Sequence, residues 1–240
     1  MVNAQFTDDD AMQRWACEEI TWGIYGNTEQ ELGVLGDIRG TDVVELGCGT
    51  AYFSAWLSRN GARPVAVDLS RAQLATAQRC QEHFGLRFPL LEADAESIPL
   101  ANDSFDLVVS EYGASVWCDP SEWLCEAARV LRPGGRLVFM TTSPLATMCV
   151  PAEGGHADER LLRSPDETRQ IRWEGGGVEF HPSHSDWIGL LVANEFRVEA
   201  MHELRASPDA PTPEYYDIAT SEWAARWPAE DLWAAVLVTS

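Results

Sequence analysis

The chain has 240 residues, 45% of them hydrophobic, with ten tryptophans and a formal net charge of −21. That length supports one substantial core, that hydrophobic content excludes a disordered chain, and no apolar run approaches the ~18 residues of a membrane span. All 17 basic residues are arginines, so the acidic field opposes a nucleic-acid backbone and no local basic patch offsets it.

The opening MVNAQFTDDD lacks the basic and apolar regions of a secretory leader, so a cytoplasmic location is expected. Met12, Ala16, Ile20 and Ile24 recur every fourth residue behind Asp10, which predicts an amphipathic helix over 11–25 carrying Trp15 and Trp22. TEQE at 28–31 is a capping box for a second, short helix. Residues 1–40 thus read as a helical opening segment. From residue 42 short apolar runs alternate with helices. Strands are expected at 42–46, 64–67, 88–91, 105–110 and 136–141, with helices starting near Thr50, at Ser70 and near Asp119. Gly61 and Gly85 close the first two of these helices, and RPGG at 132–135 stops the third.

Alternating strands and helices predict a doubly wound α/β fold, a mostly parallel seven-stranded sheet with helices on both faces. Residues 144–180 are rich in Pro and Gly and read as an irregular insertion or lid within a single domain, 1–240. The rhythm then returns with a helix over 183–194, a strand at 196–204 and a last strand, antiparallel, at 232–238. Cys17, Cys48, Cys80, Cys118, Cys125 and Cys149 show neither a CxxC pair nor zinc-finger spacing, so free thiols and no metal site are expected. Oligomeric state is not legible.

In an open parallel sheet the ligand lies beyond the carboxyl ends of the strands, where the turn VVELGCGTAYFS, Val43 to Ser54, falls. Its Gly47 and Gly49 suit close backbone approach, but a dinucleotide fingerprint needs glycine at position 52, where Tyr52 stands. A phosphate-binding loop needs a lysine, and the chain has none. Glu45 repels phosphate and attracts an ammonium. Asp68, ending VAVD, is placed for ribose hydroxyls, and Asp94, in LLEADAES, for an adenine amino group. Three acids around a glycine turn fit a cationic adenosyl ligand.

VVELGCGTA, VAVDLS, EADAESIPLANDSFDLVVSEYG and EAARVLRPGGRLVF, in that order over residues 42–141, resemble the class I S-adenosylmethionine-dependent methyltransferases, in particular their small-molecule, ubiquinone and menaquinone methyltransferase-like branch. Ala51 stands where that family commonly has a third glycine. The resemblance implies the methyltransferase Rossmann-like fold, S-adenosylmethionine as cofactor and S-adenosylhomocysteine as product. It puts Glu45, Gly47, Cys48 and Gly49 around the methionine part, Asp68 and Leu69 at the ribose and adenine face, Asp94, Ala95 and Glu96 at the adenine edge, and Ser110 by the amino acid.

Methyl transfer from a sulfonium needs alignment and exclusion of water, and a base only where the acceptor must lose a proton. The expected base is His181 in FHPSHSDW, at a position where related enzymes often carry a histidine, with His184 three residues on. Glu111, Tyr112 and Trp117 are expected against the acceptor and Trp22 over the cofactor. Tyr215, Tyr216, Trp223 and Trp227 are further pocket candidates. The acceptor is expected to be small and aromatic or apolar, with oxygen methylation favoured. The alternatives are carbon methylation of the quinone-biosynthesis type and a non-catalytic cofactor-binding regulator.

Overall fold

The computed structural model describes residues 8–173, 177–207, 210, 212 and 218–238, so Tyr215 and Tyr216 lie outside the described residues. In chain order, α1 (Asp8–Ala16) leads into a small ribbon of β1 (Thr21–Trp22) and β2 (Asn27–Thr28), then α2 (Glu29–Leu32). The alternating core follows: β3 (Asp42–Leu46), α3 (Tyr52–Arg59), β4 (Arg63–Asp68), α4 (Arg71–Phe84), β5 (Leu90–Glu92), β6 (Phe105–Glu111), α5 (Ala114–Trp117), α6 (Pro120–Val130) and β7 (Leu131–Thr142). Next come α7 (Pro144–Cys149), α8 (Pro165–Thr168) and the hairpin strands β8 (Ile171–Arg172) and β9 (Val178–Glu179). The chain closes with α9 (His184–Ala193), β10 (Phe196–Leu204), α10 (Ser221–Arg226) and β11 (Glu230–Leu237).

Seven strands form one sheet in the order β10-β11-β7-β6-β3-β4-β5. β3 through β7 pair in parallel, and β11 runs antiparallel to both β7 and β10. From β3 the chain travels outward through β4 and β5, then returns to lay β6 on the other side of β3. That reversal opens a crevice above the carboxyl ends of β3 and β6. No described helix is long and apolar enough to cross a membrane.

The central strands are apolar on both faces. Val44 and Leu46 point into a core with Trp123 and Leu124 of α6 and Trp187 of α9, while Val43 packs on the opposite face with Phe53 and Leu57 of α3. On the first face Phe139 stacks on Trp233 at 6.1 Å and meets Trp123 edge-on at 5.4 Å. Such pairs add ~0.5–1.5 kcal/mol each beyond the area they bury. The helix starts carry the side chains that the sequence marks: Thr28 accepts from the Glu31 amide, Ser70 from Gln73, Asp119 from Ser121 ahead of α6 with Pro120 at its first position, and Ser183 from Asp186.

Three expectations need correction. The opening helix ends at Ala16 instead of 25, because Thr21–Trp22 is extended and Gly23 takes φ +68, outside helical space. RPGG at 132–135 does not precede the strand but lies inside β7, where the pairing with β6 shifts register between Phe105 and Leu107. The segment 144–180 is more structured than its Pro and Gly content suggests: Ala146, Cys149, Val150 and Ala157 form a small core with Tyr25, Ile218 and Trp223.

Candidate functional site

A cavity of about 630 Å³ sits over the carboxyl ends of β3, β4 and β6. Gly47, Cys48, Gly49 and Thr50 form its floor. The turn is built by close backbone contact. A Cβ on Gly47 would lie 2.5 Å from Gly113 Cα and 2.7 Å from the Ala114 nitrogen, so the turn rests directly on the chain entering α5. A Cβ on Gly49 meets nothing within 4 Å, and its φ is +54. Its side toward the cavity is free for a ligand. Ala51, in the family's third glycine position, adopts the same left-handed conformation at φ +58 and is fully buried.

Asp68 ends β4 and holds this turn: its two oxygens accept from the Gly49 and Ser70 amides, each at 2.7 Å. Burial pushes its carboxyl above the usual range, and the two amides hold it back. Glu45 is 2% exposed and accepts from the Ser54 amide at 2.9 Å and from the Ser54 hydroxyl. Burial, with the nearby charges of Glu111 and Asp68, raises its pKa to about 8 against the Ser54 bonds. Leu69 is 69% exposed at the cavity edge. Asp94, Ala95 and Glu96 line the wall beyond β5, where Asp94 accepts from the Glu96 amide and Glu96 from the Asp119 amide. Burial pushes the Cys48 thiol well up, so it behaves as an inert small side chain.

The other half of the cavity lies toward β7. Glu111, Tyr112 and Trp117 line it, joined by Thr142 and Ile218. Glu111 accepts from the Tyr52 hydroxyl, over whose ring Arg14 sits at 5.0 Å. Tyr112 holds φ +52 and donates from its hydroxyl to Glu230 at 2.7 Å.

Several expected residues, Trp22, Ser110, His181, His184, Trp223 and Trp227, do not line the cavity. Trp22 is buried against Phe53 and donates to Glu29 at 2.7 Å, so Gly23 and Ile24, just after it, reach the wall instead. Trp15 likewise packs on Phe84 and Phe88, leaving the wall to its neighbour Arg14. Ser110 is buried beneath the floor, where its hydroxyl donates to Leu46 O and accepts from the Ser115 amide. His184 bonds Asp231 on the α9 face of the sheet at 2.8 Å, and that bond raises its pKa. With Glu203, His184 and Asp231 form a cluster with the donor types of a metal site. His181 is fully buried, and its Nε2 lies 3.0 Å from Glu179, which itself lines the cavity.

Glu179, Arg14 and Tyr52 were not anticipated. A signal for Glu179 was present in VEFH, because residues two apart in extended chain share a face. A carboxylate two positions before a candidate histidine is a candidate partner for it.

An open α/β sheet with a glycine turn at its switch point defines a cofactor-binding fold of the nucleotide-binding kind. Residues 44–139 match the methyltransferase domain family. The malonyl-(acyl-carrier protein) O-methyltransferase of Hahella chejuensis is 40% identical over 102 residues, 42% of this chain and 36% of that protein. The demethylmenaquinone methyltransferase of Corynebacterium efficiens is 35% identical over 124 residues, 52% of this chain and 50% of that protein. The chain thus spans half or less of the length of these curated relatives. An S-adenosylmethionine dependent methyltransferase structure from Mesorhizobium loti superposes with a TM-score of 0.64 at 27% identity, covering 85% of this chain and 94% of that one. The cyclase SpnF shares the fold, with a TM-score of 0.62 at 20% identity over 92% of this chain and 88% of that one. Residues 44–139 thus match a methyltransferase domain, and the fold is one shared with S-adenosylmethionine dependent methyltransferases.

Proposed function

We propose that the protein binds S-adenosylmethionine in this cavity and transfers its methyl group to a small acceptor with an aromatic or apolar body. The observation that carries the reading is the floor itself: open space above Gly49, the Asp68 carboxylate fixed beside it, and buried Glu45 behind. In the bound state the cofactor supplies a sulfonium-activated methyl group. Gly47 and Gly49 let backbone approach the methionine part, Glu45 faces its ammonium, and Asp68 presents carboxylate oxygens to the ribose hydroxyls. Asp94, Ala95 and Glu96 meet the adenine edge, with Leu69 on its face. Glu111, Tyr112 and Trp117, with apolar Ile24, Val116 and Ile218, shape the acceptor half and exclude water. Alignment of that kind contributes up to ~7–11 kcal/mol to such reactions.

We read 1–240 as one domain and 144–180 as a segment that borders the cavity, since Glu179 near its end reaches the cavity wall. The net charge of −21 disfavours a nucleic-acid partner, and we take the protein to be cytoplasmic with a small-molecule acceptor. A quinone-type carbon acceptor is the second reading, favoured by the likeness to demethylmenaquinone methyltransferase.

Titration calorimetry tests the cofactor. S-adenosylmethionine and S-adenosylhomocysteine should bind in the micromolar range, about −8 kcal/mol, and NAD should not. Asp68→Ala should weaken binding by roughly 2–4 kcal/mol, through the ribose hydroxyls and the freed Gly49 amide. Saturable binding of NAD in place of the adenosyl ligands sinks the reading.

A further inference from the structure

Most carboxylates of the cavity are already engaged. Asp68 accepts from two backbone amides, Glu45 from Ser54, Glu111 from the Tyr52 hydroxyl, and Asp94 and Glu96 from amides of their own wall. Glu179 differs. It is 2% exposed, lies in the acceptor half, and is backed from behind by a histidine that has no exposure at all. The hairpin that carries it is pinned: the Phe180 amide donates to Val116 O at 2.8 Å, and the His181 amide to Thr168 O at 3.2 Å. Val116 and Trp117, at this anchor, line the same cavity. Nε2 of His181 donates to Glu179, while its buried Nδ1 has no partner among the described residues. A ring fixed through one nitrogen, with the other unsatisfied, has this single bond as its visible task.

We infer that Glu179 is the proton acceptor for a hydroxyl-bearing methyl acceptor, and that His181 is the positioning residue that aims and holds its carboxylate. The inference rests on the methyl-transfer reading above and moves the base from His181 to the residue in front of it. In the step, the hydroxyl oxygen forms its bond to the methyl carbon as the carbon–sulfur bond breaks and its electron pair leaves on sulfur. The hydroxyl proton passes to Glu179, which becomes a carboxylic acid and returns the proton to water when product leaves. A carboxylate is basic enough for this. As the oxygen–carbon bond forms, the hydroxyl proton becomes more acidic than a carboxylic acid, so the transfer is downhill late in the step. Burial raises the Glu179 pKa, but hydrogen bonds, that of His181 foremost, together with nearby positive charge keep the carboxyl below its ordinary value. The group is therefore held in the proton-accepting form.

The test uses 4-nitrophenol, whose ionised form is yellow and whose neutral form is not, added to the protein saturated with S-adenosylhomocysteine at the pH where the free probe is half ionised. The wild type should take up the neutral form, with a saturable loss of yellow absorbance. Glu179→Gln should bind that form at least tenfold more weakly. His181→Leu should follow it, and His181→Gln, which keeps an N–H donor, should restore the wild-type response. Each variant's affinity for S-adenosylhomocysteine checks that the cofactor half is folded, and Glu179→Ala, which also removes the carboxylate, is read in the same way should Glu179→Gln lose it. Equal response in wild type and Glu179→Gln, or no saturable binding of the probe, overturns the role of Glu179. Equal response in the two His181 variants overturns the role of His181. Failure of the wild type to bind S-adenosylhomocysteine at all overturns instead the methyl-transfer reading beneath it.

Discussion

Glu45 is a buried acid at the cavity floor, and the proposed cofactor would bring a cation to it. With its pKa raised to about 8 by burial, it is mostly protonated at neutral pH while the cavity holds no cation. An ammonium or sulfonium placed beside it favours the ionised form, so ligand binding must expel a proton. Calorimetry of S-adenosylmethionine in buffers of different ionisation enthalpy should therefore register proton release at neutral pH. The release should fade above pH ~8, where Glu45 is ionised beforehand, and should vanish in Glu45→Gln. Buffer-independent enthalpies would show that Glu45 does not sense the cofactor. This role was legible because an acid just ahead of a glycine turn fits no phosphate. The roles proposed for His181 and Glu179 were not, because a histidine attracts notice by its type while its burial is decided by chain folding over it from 168 and 116.

At the scale of elements, the two glycines of the floor do different work, and the difference can be measured. Gly47 packs backbone to backbone against Gly113. A methyl group there has nowhere to go, and the left-handed conformation adds to the clash, so Gly47→Ala should cost about 2–5 kcal/mol of folding stability in urea unfolding. Gly49→Ala meets no atom of the protein and should cost only the conformational term, about 1–2 kcal/mol. Its methyl group would instead occupy ligand space, and S-adenosylhomocysteine affinity should fall at least tenfold in a protein that still folds. Comparable stability losses in both variants would mean that the turn is uniformly structural. The strands flanking this turn were readable to within a few residues, since a strand buried on both faces is a short apolar run and its helix starts carry capping side chains. The end of α1 was not readable. The fourfold apolar spacing continues through Ile20 and Ile24, but Ile20 packs beside Trp22 on the face of α3 as extended chain, an arrangement set by tertiary contact.

Over the whole molecule, folding traps acids as well as apolar groups, and this fixes how stability depends on pH. Glu230, at the start of β11, is fully buried: its Oε1 accepts from the Tyr112 hydroxyl and the Ile24 amide, and its Oε2 has no partner among the described residues. Burial raises its pKa from 4.5 to about 8, helped by the charges of Glu111 and Asp231 and opposed by the two hydrogen bonds. Between those values the folded protein keeps a proton that the unfolded chain has released. The folded state then binds more protons, so unfolding free energy falls as pH rises, by about 1.4 kcal/mol per pH unit for each such proton. The contribution is fully present below the unfolded value and lost as pH climbs through the folded one. Glu45 adds a second group of the same sign, so the ligand-free protein should unfold at progressively lower urea concentration from pH ~4.5 to ~8. Glu230→Gln keeps a neutral side chain of the same shape at every pH. Its midpoint should decline less steeply and rise above the wild type's at the alkaline end, while Tyr112 keeps its acceptor in the amide oxygen. Parallel curves for the two proteins would mean that Glu230 is already ionised in the fold, with a solvating partner for Oε2.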